Sequence, residues 1–178
     1  MSLFRRTDTA LPSKITSRWE DAGAAGTAID FLSRQRSADL YAEMHNSSEA
    51  TKEEDFEDGM ESEFSKHLVS LVQKYGSATV ELLIFLIACE YMNAEVAAKT
   101  LRCLGRTDHP ETYRERLWLL ERSLKCSSAT VRDAGVLGLA SLGDPHAIPY
   151  LKRAIKKEKN LELRQHMERV LAQLERLR

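Results

Sequence analysis

Side chains able to do covalent or metal chemistry are few and scattered in this sequence. Cys89, Cys103 and Cys126 are an odd number without CxxC spacing, and each falls inside or beside an apolar helical stripe. A disulfide framework wants pairs, so these read as reduced thiols packed in the core of an intracellular protein. His109 and His146 each stand next to a proline at a helix start, which suits a turn residue better than a general base. His67 sits on an apolar stripe, where a hydrogen-bonded core histidine is expected. Glu81, in the greasiest helix, is the one carboxylate expected to be partly buried, answering a lysine or a helix end. No Gly-rich phosphate loop, HExxH pair or nucleophile elbow accompanies these groups. Glu49, Glu53, Glu54, Asp55, Glu57, Asp58, Glu61 and Glu63 crowd around the single Lys52. They lack the central glycine and closing glutamate of a calcium loop and read as a solvated acidic connector. No catalysis, cofactor or metal is expected.

Recognition chemistry is better represented. Trp118 lies off the stripe formed by Tyr113, Leu117, Leu120 and Leu124, with Arg114 four residues before it and Arg122 four after. Residues four apart share a helix face, so this arrangement suits an interaction hot spot or a cation–π stack. The competing account has Trp118 filling a gap against a neighbouring helix. Tyr150, flanked by His146 and Arg153, is a second and weaker example. The net charge of −1 conceals a split: residues 106–178 carry +5 and residues 1–105 carry −6. Such asymmetry speaks about partners rather than fold.

The elements that must carry these residues are helices. Of 178 residues 43% are hydrophobic and 30% charged, while only 8 are Gly and 4 Pro, a balance that disfavours a turn-rich β fold. Met1 to Pro12 has no apolar signal core, and Val80 to Cys89 is too short to span a bilayer. A cytoplasmic protein with no membrane segment is expected. Residues 1–45 read as an N-terminal arm with one helix over 28–45 and with Trp19 as an anchor. Residues 46–58 read as the acidic connector, and 59–178 as the helical domain. There Met60, Phe64, His67, Leu68, Leu71 and Tyr75 trace one helix face up to Gly76. Further helices run over about 78–91, from Asn93 to Leu104-Gly105, from Asp108-His109-Pro110, from Ser127-Ser128 to Gly143, from Asp144-Pro145, and after Asn160. Asn and Asp serve there as caps, and Pro stands at the first helical position.

The sequence also repeats itself. Leu101-x-x-Leu104-Gly105 echoes Leu139-x-x-Leu142-Gly143 at an offset of 38, and Leu120 and Leu124 match Leu151 and Ile155 at an offset of 31. Two helices per 30–40 residues signify a solenoid. The stretch Val131-Arg132-Asp133-Ala134, followed by Gly138-Leu139-Ala140-Ser141-Leu142-Gly143-Asp144-Pro145-His146-Ala147-Ile148-Pro149-Tyr150-Leu151, resembles the HEAT-repeat family, particularly its short bacterial kind. The likeness is closest over 127–158, looser over 93–126, faint over 55–91 and absent before residue 50.

The resemblance implies an all-α fold: a short right-handed α-solenoid of HEAT-like antiparallel helix pairs with a capping C-terminal helix. In that family the first helix supplies small residues, here Ala134, Gly135 and Gly138. Leu-Gly ends it, and Asp-Pro opens the second. Second helices commonly line a concave partner-binding face. Aligning them pairs Arg122 with Arg153 and Lys125 with Lys156, and Lys152, Lys157 and Lys159 extend the basic row. Arg114, Trp118, Arg122, Lys125, Tyr150, Arg153, Lys156 and Lys157 are thus the candidate partner-binding residues. Charges opposite an apolar stripe are also what a plain solvated face looks like. The leading expectation is a non-catalytic scaffold, adaptor or regulator, immunity-type partners included, that binds another protein. The alternative is nucleic-acid backbone binding through the basic face, with Trp118 stacking on a base.

Overall fold

The computed structural model describes residues 39, 40, 42, 43, 62–88 and 91–178. The chain divides into two units, Met1–Ser47 and Ser48–Arg178. In the first, Asp39, Leu40, Ala42 and Glu43 are helical, within the stretch where a helix is expected. The remainder of the arm with Trp19, the acidic connector and Cys89 lie outside the described residues.

The described residues of the second unit form seven α-helices and no strand. These are α1 (Glu63–Tyr75), α2 (Ser77–Ala88), α3 (Ala94–Arg106), α4 (Tyr113–Ser123), α5 (Ala129–Leu142), α6 (Ile148–Ile155) and α7 (Leu161–Arg176). Capping chemistry sets where they begin. Ser62, Asn93, Ser128 and Asn160 accept bonds from the N–H groups of Ser65, Glu95, Val131 and Leu163, donors that a helix start otherwise leaves unpaired. Pro110 and Pro145 open short 3₁₀ turns rather than the α-helices themselves, which start three residues later at Tyr113 and Ile148.

The first helices α1, α3, α5 and α7 stack in order as one layer. On the other side, α2 packs on α1 and α4, α4 packs on α3 and α5, and α6 lies against α7. This is an all-α solenoid of three helix pairs closed by half a pair. Its core is the row of buried side chains running from Phe64, Leu68 and Leu71 through Val80, Leu83, Leu101 and Leu104 to Leu120, Leu139, Leu151, Met167 and Leu174. The outward residues of α7 (Glu162, Gln165, Glu168, Arg169, Gln173 and Arg176) are exposed, as a terminal unit requires. Cys103 is buried and Cys126 half-buried, consistent with packing roles.

The two Leu-Gly pairs do different work. Gly143 ends α5 in the left-handed region at φ 68° and ψ 22°, and its N–H bonds to the Leu139 carbonyl. Gly105 does not end α3. The helix continues to Arg106 and is closed by Thr107, whose N–H and hydroxyl both bond to the Cys103 carbonyl. Gly105 is instead the point of closest helix approach. A Cβ there would stand 2.5 Å from Gly138 Cα and 2.8 Å from its carbonyl carbon. Gly138 is equally confined, by Leu120 and the Leu101 carbonyl. The expected small-residue contact is therefore real, and it is made backbone to backbone between α3 and α5.

Candidate partner-binding face

Helix α4 shows how the face is set. Its buried side comprises Arg116, Leu119, Leu120, Glu121, Ser123 and Leu124, while Tyr113 and Leu117 are only half-buried. The helix is thus turned slightly from the orientation expected of its leucines. Arg116 is 2% exposed and replaces the missing leucine with a set of bonds. Its Nη1 donates to the Leu104 carbonyl at 2.8 Å, Nη2 to the His109 carbonyl at 3.1 Å and Nε to Thr112 Oγ1 at 3.2 Å. One cation thus satisfies the Leu104 carbonyl near the end of α3, where a helix leaves acceptors unpaired, and adds to the bonds that the His109 carbonyl takes from Thr112. Burial lowers its pKa, against the pull of Asp108, Tyr113 and Glu115.

The next link joins α4 to the following pair. Tyr113 Oη donates to Asp144 Oδ2 at 2.6 Å, and Asp144 Oδ1 meets the His146 N–H at 2.8 Å and its Nδ1 at 2.7 Å. Burial works to raise Asp144, but these bonds prevail and hold it below the ordinary carboxylate range. Tyr113 is pushed up to about 12, by burial first and then by Asp144. His109, as expected, is a turn residue: it caps the turn before α4, with Nδ1 at 3.2 Å from Thr112 Oγ1. His146 is likewise bound into the turn before α6. His67 differs from expectation, since its buried Nε2 has no hydrogen-bond partner among the described residues.

With α4 turned this way, Trp118 points outward and is 46% exposed. Arg122 Cζ lies 5.5 Å from its ring centroid. One pair along, on α6, Arg153 Cζ lies 4.6 Å from the ring of Tyr150, which is 37% exposed. Both aromatic–arginine pairs are therefore stacked and open to solvent, on second helices of successive pairs. Arg114 stands apart from them, lining a shallower hollow with Asp108, Pro110 and Glu111.

A groove of about 570 Å³ opens between α4 and α6, two helices that approach far less closely than α3 and α5. It brings together Lys125, Tyr150, Arg153 and Lys157 of the candidate residues, with Lys159 of the expected basic row. Trp118, Arg122 and Lys156 are exposed outside it, and Lys152 is paired with Glu175 at 2.7 Å. Sequence reasoning missed two parts of this groove. Arg132 reaches into it from α5, its Nε and Nη2 donating to the two oxygens of Glu158 at 2.8 and 3.0 Å, a bond that holds Glu158 below its usual range. Glu121 is the other, buried at 7% exposure and pushed up to about 7 by burial and by Asp144, against the pull of Arg153 and His146. Glu81, the carboxylate expected to be buried, is exposed. The available signal was spacing: Leu117, Glu121 and Leu124 stand at i, i+4 and i+7, along the edge of the buried face.

Among the described residues no group of three or more His, Cys, Asp or Glu side chains could hold a metal ion, and no helix is long and apolar enough to cross a membrane. No curated protein and no solved structure matches the chain. A family model described as HEAT repeats matches residues 82–172, from within α2 to within α7 and just over half of the chain. HEAT repeats generally serve as protein-interaction scaffolds. With the layered helix pairs, the Gly143 turn and the capped α7 already in place, this match shows that the chain belongs to the HEAT-repeat family.

Proposed function

We propose that the chain is a non-catalytic adaptor or regulator that binds another protein through its second-helix face. The observation that carries this reading is the pair of exposed stacks, Arg122 on Trp118 and Arg153 on Tyr150, on successive second helices. A tryptophan or tyrosine left in water keeps a large apolar ring wet, and an arginine laid over it prepares a flat, rigid patch of the kind that dominates interface energies. Lys125 and Lys157 line the groove that holds the second stack, Lys156 adds an exposed charge beside it, and Arg114 lines a separate hollow. An immunity-type partner that blocks another protein is one form such a scaffold takes, and the cytoplasm of a bacterium is the setting the resemblance suggests.

The test is affinity purification at low salt with the wild type and with Trp118→Ala/Arg122→Ala/Arg153→Ala. These side chains are exposed, so the variant should keep its helical content by circular dichroism. A stoichiometric protein lost from the variant supports the scaffold reading. Equal recovery of that protein with the variant refutes the face.

The cations of the groove favour a second reading, contact with a nucleic-acid backbone. It predicts co-purifying nucleic acid whose affinity falls steeply with added salt.

A further inference from the structure

Charge in the groove between α4 and α6 is unbalanced. Lys125, Arg153, Lys157 and Lys159 line it, and none of the four forms an ion pair among the described residues. Two acids share the site. Glu158 is committed, with both oxygens on Arg132 and Oε1 also accepting the Asn160 N–H at 3.0 Å. Glu121 is buried and accepts no hydrogen bond from Arg153, whose Nε donates to the Pro149 carbonyl at 3.2 Å. The Tyr150 ring, under Arg153, adds an apolar wall.

These features select an anion with an apolar flank. A nucleic-acid backbone wants cations repeated along a track. Here the cations converge on one groove, and the surface beyond includes the exposed Glu162, Glu168 and Glu175 of α7. A peptide carboxylate beside an apolar residue fits better. We infer that this groove binds an acidic segment of a protein partner, its carboxylates held by Arg153, Lys157 and Lys125, with the Glu121 carboxyl beneath them as a competing charge. This rests on the protein-binding reading above and names the chemistry of the partner and its control.

The control follows from position. Burial and Asp144 push Glu121 up to about 7, so it loses its proton within the range where a glutamate-rich ligand is already fully ionised. Ionised, Glu121 neutralises one of the groove's cations and repels the incoming carboxylate. Protonated, it leaves them all to the ligand. Its charged surroundings are Lys125 just after its own helix, Arg132 on α5, Arg153 on α6, Asp144 and His146 in the turn before α6, and the Lys157–Lys159 segment after it. His146 is exposed, bonded to Asp144 and among the groups that act on Glu121, so it needs its own control.

The experiment is fluorescence anisotropy with the full chain and a labelled glutamate-rich peptide of about ten residues, long enough when extended to cross the groove. Wild type should bind roughly three- to tenfold more tightly at pH 6 than at pH 8, the effect of one nearby charge at a protein surface. Glu121→Gln should bind at pH 8 as wild type does at pH 6, and His146→Gln should keep the pH dependence. Arg153→Ala/Lys157→Ala should lose about tenfold or more at either pH. No measurable peptide binding overturns the inference, as does a wild type without pH dependence or one that prefers a single-stranded oligonucleotide of equal charge. If the native partner is lost from the triple variant while the peptide fails to bind, this inference falls and the protein-binding reading stands. If the peptide binds as described while the native partner is recovered equally with the triple variant, that reading falls and the acidic-peptide site stands.

Discussion

Replacing Gly105 with alanine should destabilise the solenoid, although at most helical positions the same change is stabilising. Removing a glycine from a helix interior is worth roughly 0.5–1 kcal/mol in backbone entropy and propensity. Against this, the new methyl group would lie 2.5 Å from Gly138 Cα and 2.8 Å from its carbonyl carbon. Carbon atoms rest at about 3.5–4.0 Å, so the α3 and α5 backbones must part by about 1 Å. The obstacle is backbone and cannot rotate aside, which puts the cost at the upper end of the ~1–3 kcal/mol for overpacking. The balance is a net loss of about 2 kcal/mol. For a unit of ~120 residues the unfolding entropy is about 0.25 kcal/mol/K, so thermal denaturation should show Tm lowered by roughly 8 °C. A Tm equal to or above that of the wild type would show that the two helices are not in backbone contact and refute the account of the first-helix layer.

Other perturbations probe other links. Gly135→Ala drives a Cβ into the Ser123 hydroxyl, which bonds to the Leu120 carbonyl at 2.7 Å. The loss of about 1 kcal/mol should shrink in a Ser123→Ala background, and strict additivity in a denaturation cycle would count against the contact. Arg116→Met takes the donor from the Leu104 carbonyl, while the His109 carbonyl keeps the Thr112 N–H, and should cost about 1–3 kcal/mol in urea denaturation, whereas a change within about 0.5 kcal/mol would place Arg116 among surface residues. Glu121 has a folded pKa of about 7, above the ordinary value of 4.5. The unfolded chain therefore releases this proton first, and wild-type stability should fall as pH rises from 4.5 through 7. Glu121→Gln should match wild type near pH 5 and exceed it by about 1–3 kcal/mol at pH 8. Parallel stability profiles for the two proteins would refute the buried carboxyl.

Much of this molecule was legible because caps and glycines act locally. Ser128, Asn93, Asn160 and Asp144 bond within two or three residues of themselves, so their types and places announce the helix starts. Gly143 is readable for the same reason, its left-handed turn being a property of one residue. Gly105 carries the same Leu-Gly signature but answers to Gly138, thirty-three residues away, and no local rule separates the two cases. The rotation of α4 was hidden likewise. Arg116 looks like a surface charge until the Leu104 and His109 carbonyls are placed around it. Trp118 could be placed off the apolar stripe, but whether it was exposed or filled a gap depended on the neighbouring helix and was decided only by the packing. The groove could not, because it is formed by residues from α4, α5, α6 and the segment after α6.

The groove and the glycine contact are two sides of one packing arrangement. In the first-helix layer no side chain separates α3 from α5 at Gly105 and Gly138, and the backbones close to contact there. In the second-helix layer the facing residues are long: Glu121, Leu124 and Lys125 on and after α4 oppose Tyr150, Arg153 and Lys157 on and after α6. Two joined layers that are narrow on one side and wide on the other form a wedge, and the open side of the wedge is the groove. Filling it with apolar side chains would stabilise the solenoid at about 25 cal/mol per Å² buried, yet the chain keeps cations and a buried acid there. A site that forgoes that stability is where function is expected. On this view Glu121→Leu/Arg153→Leu should raise Tm while abolishing acidic-peptide binding, and a variant that bound the peptide as well as wild type would separate the wedge from recognition.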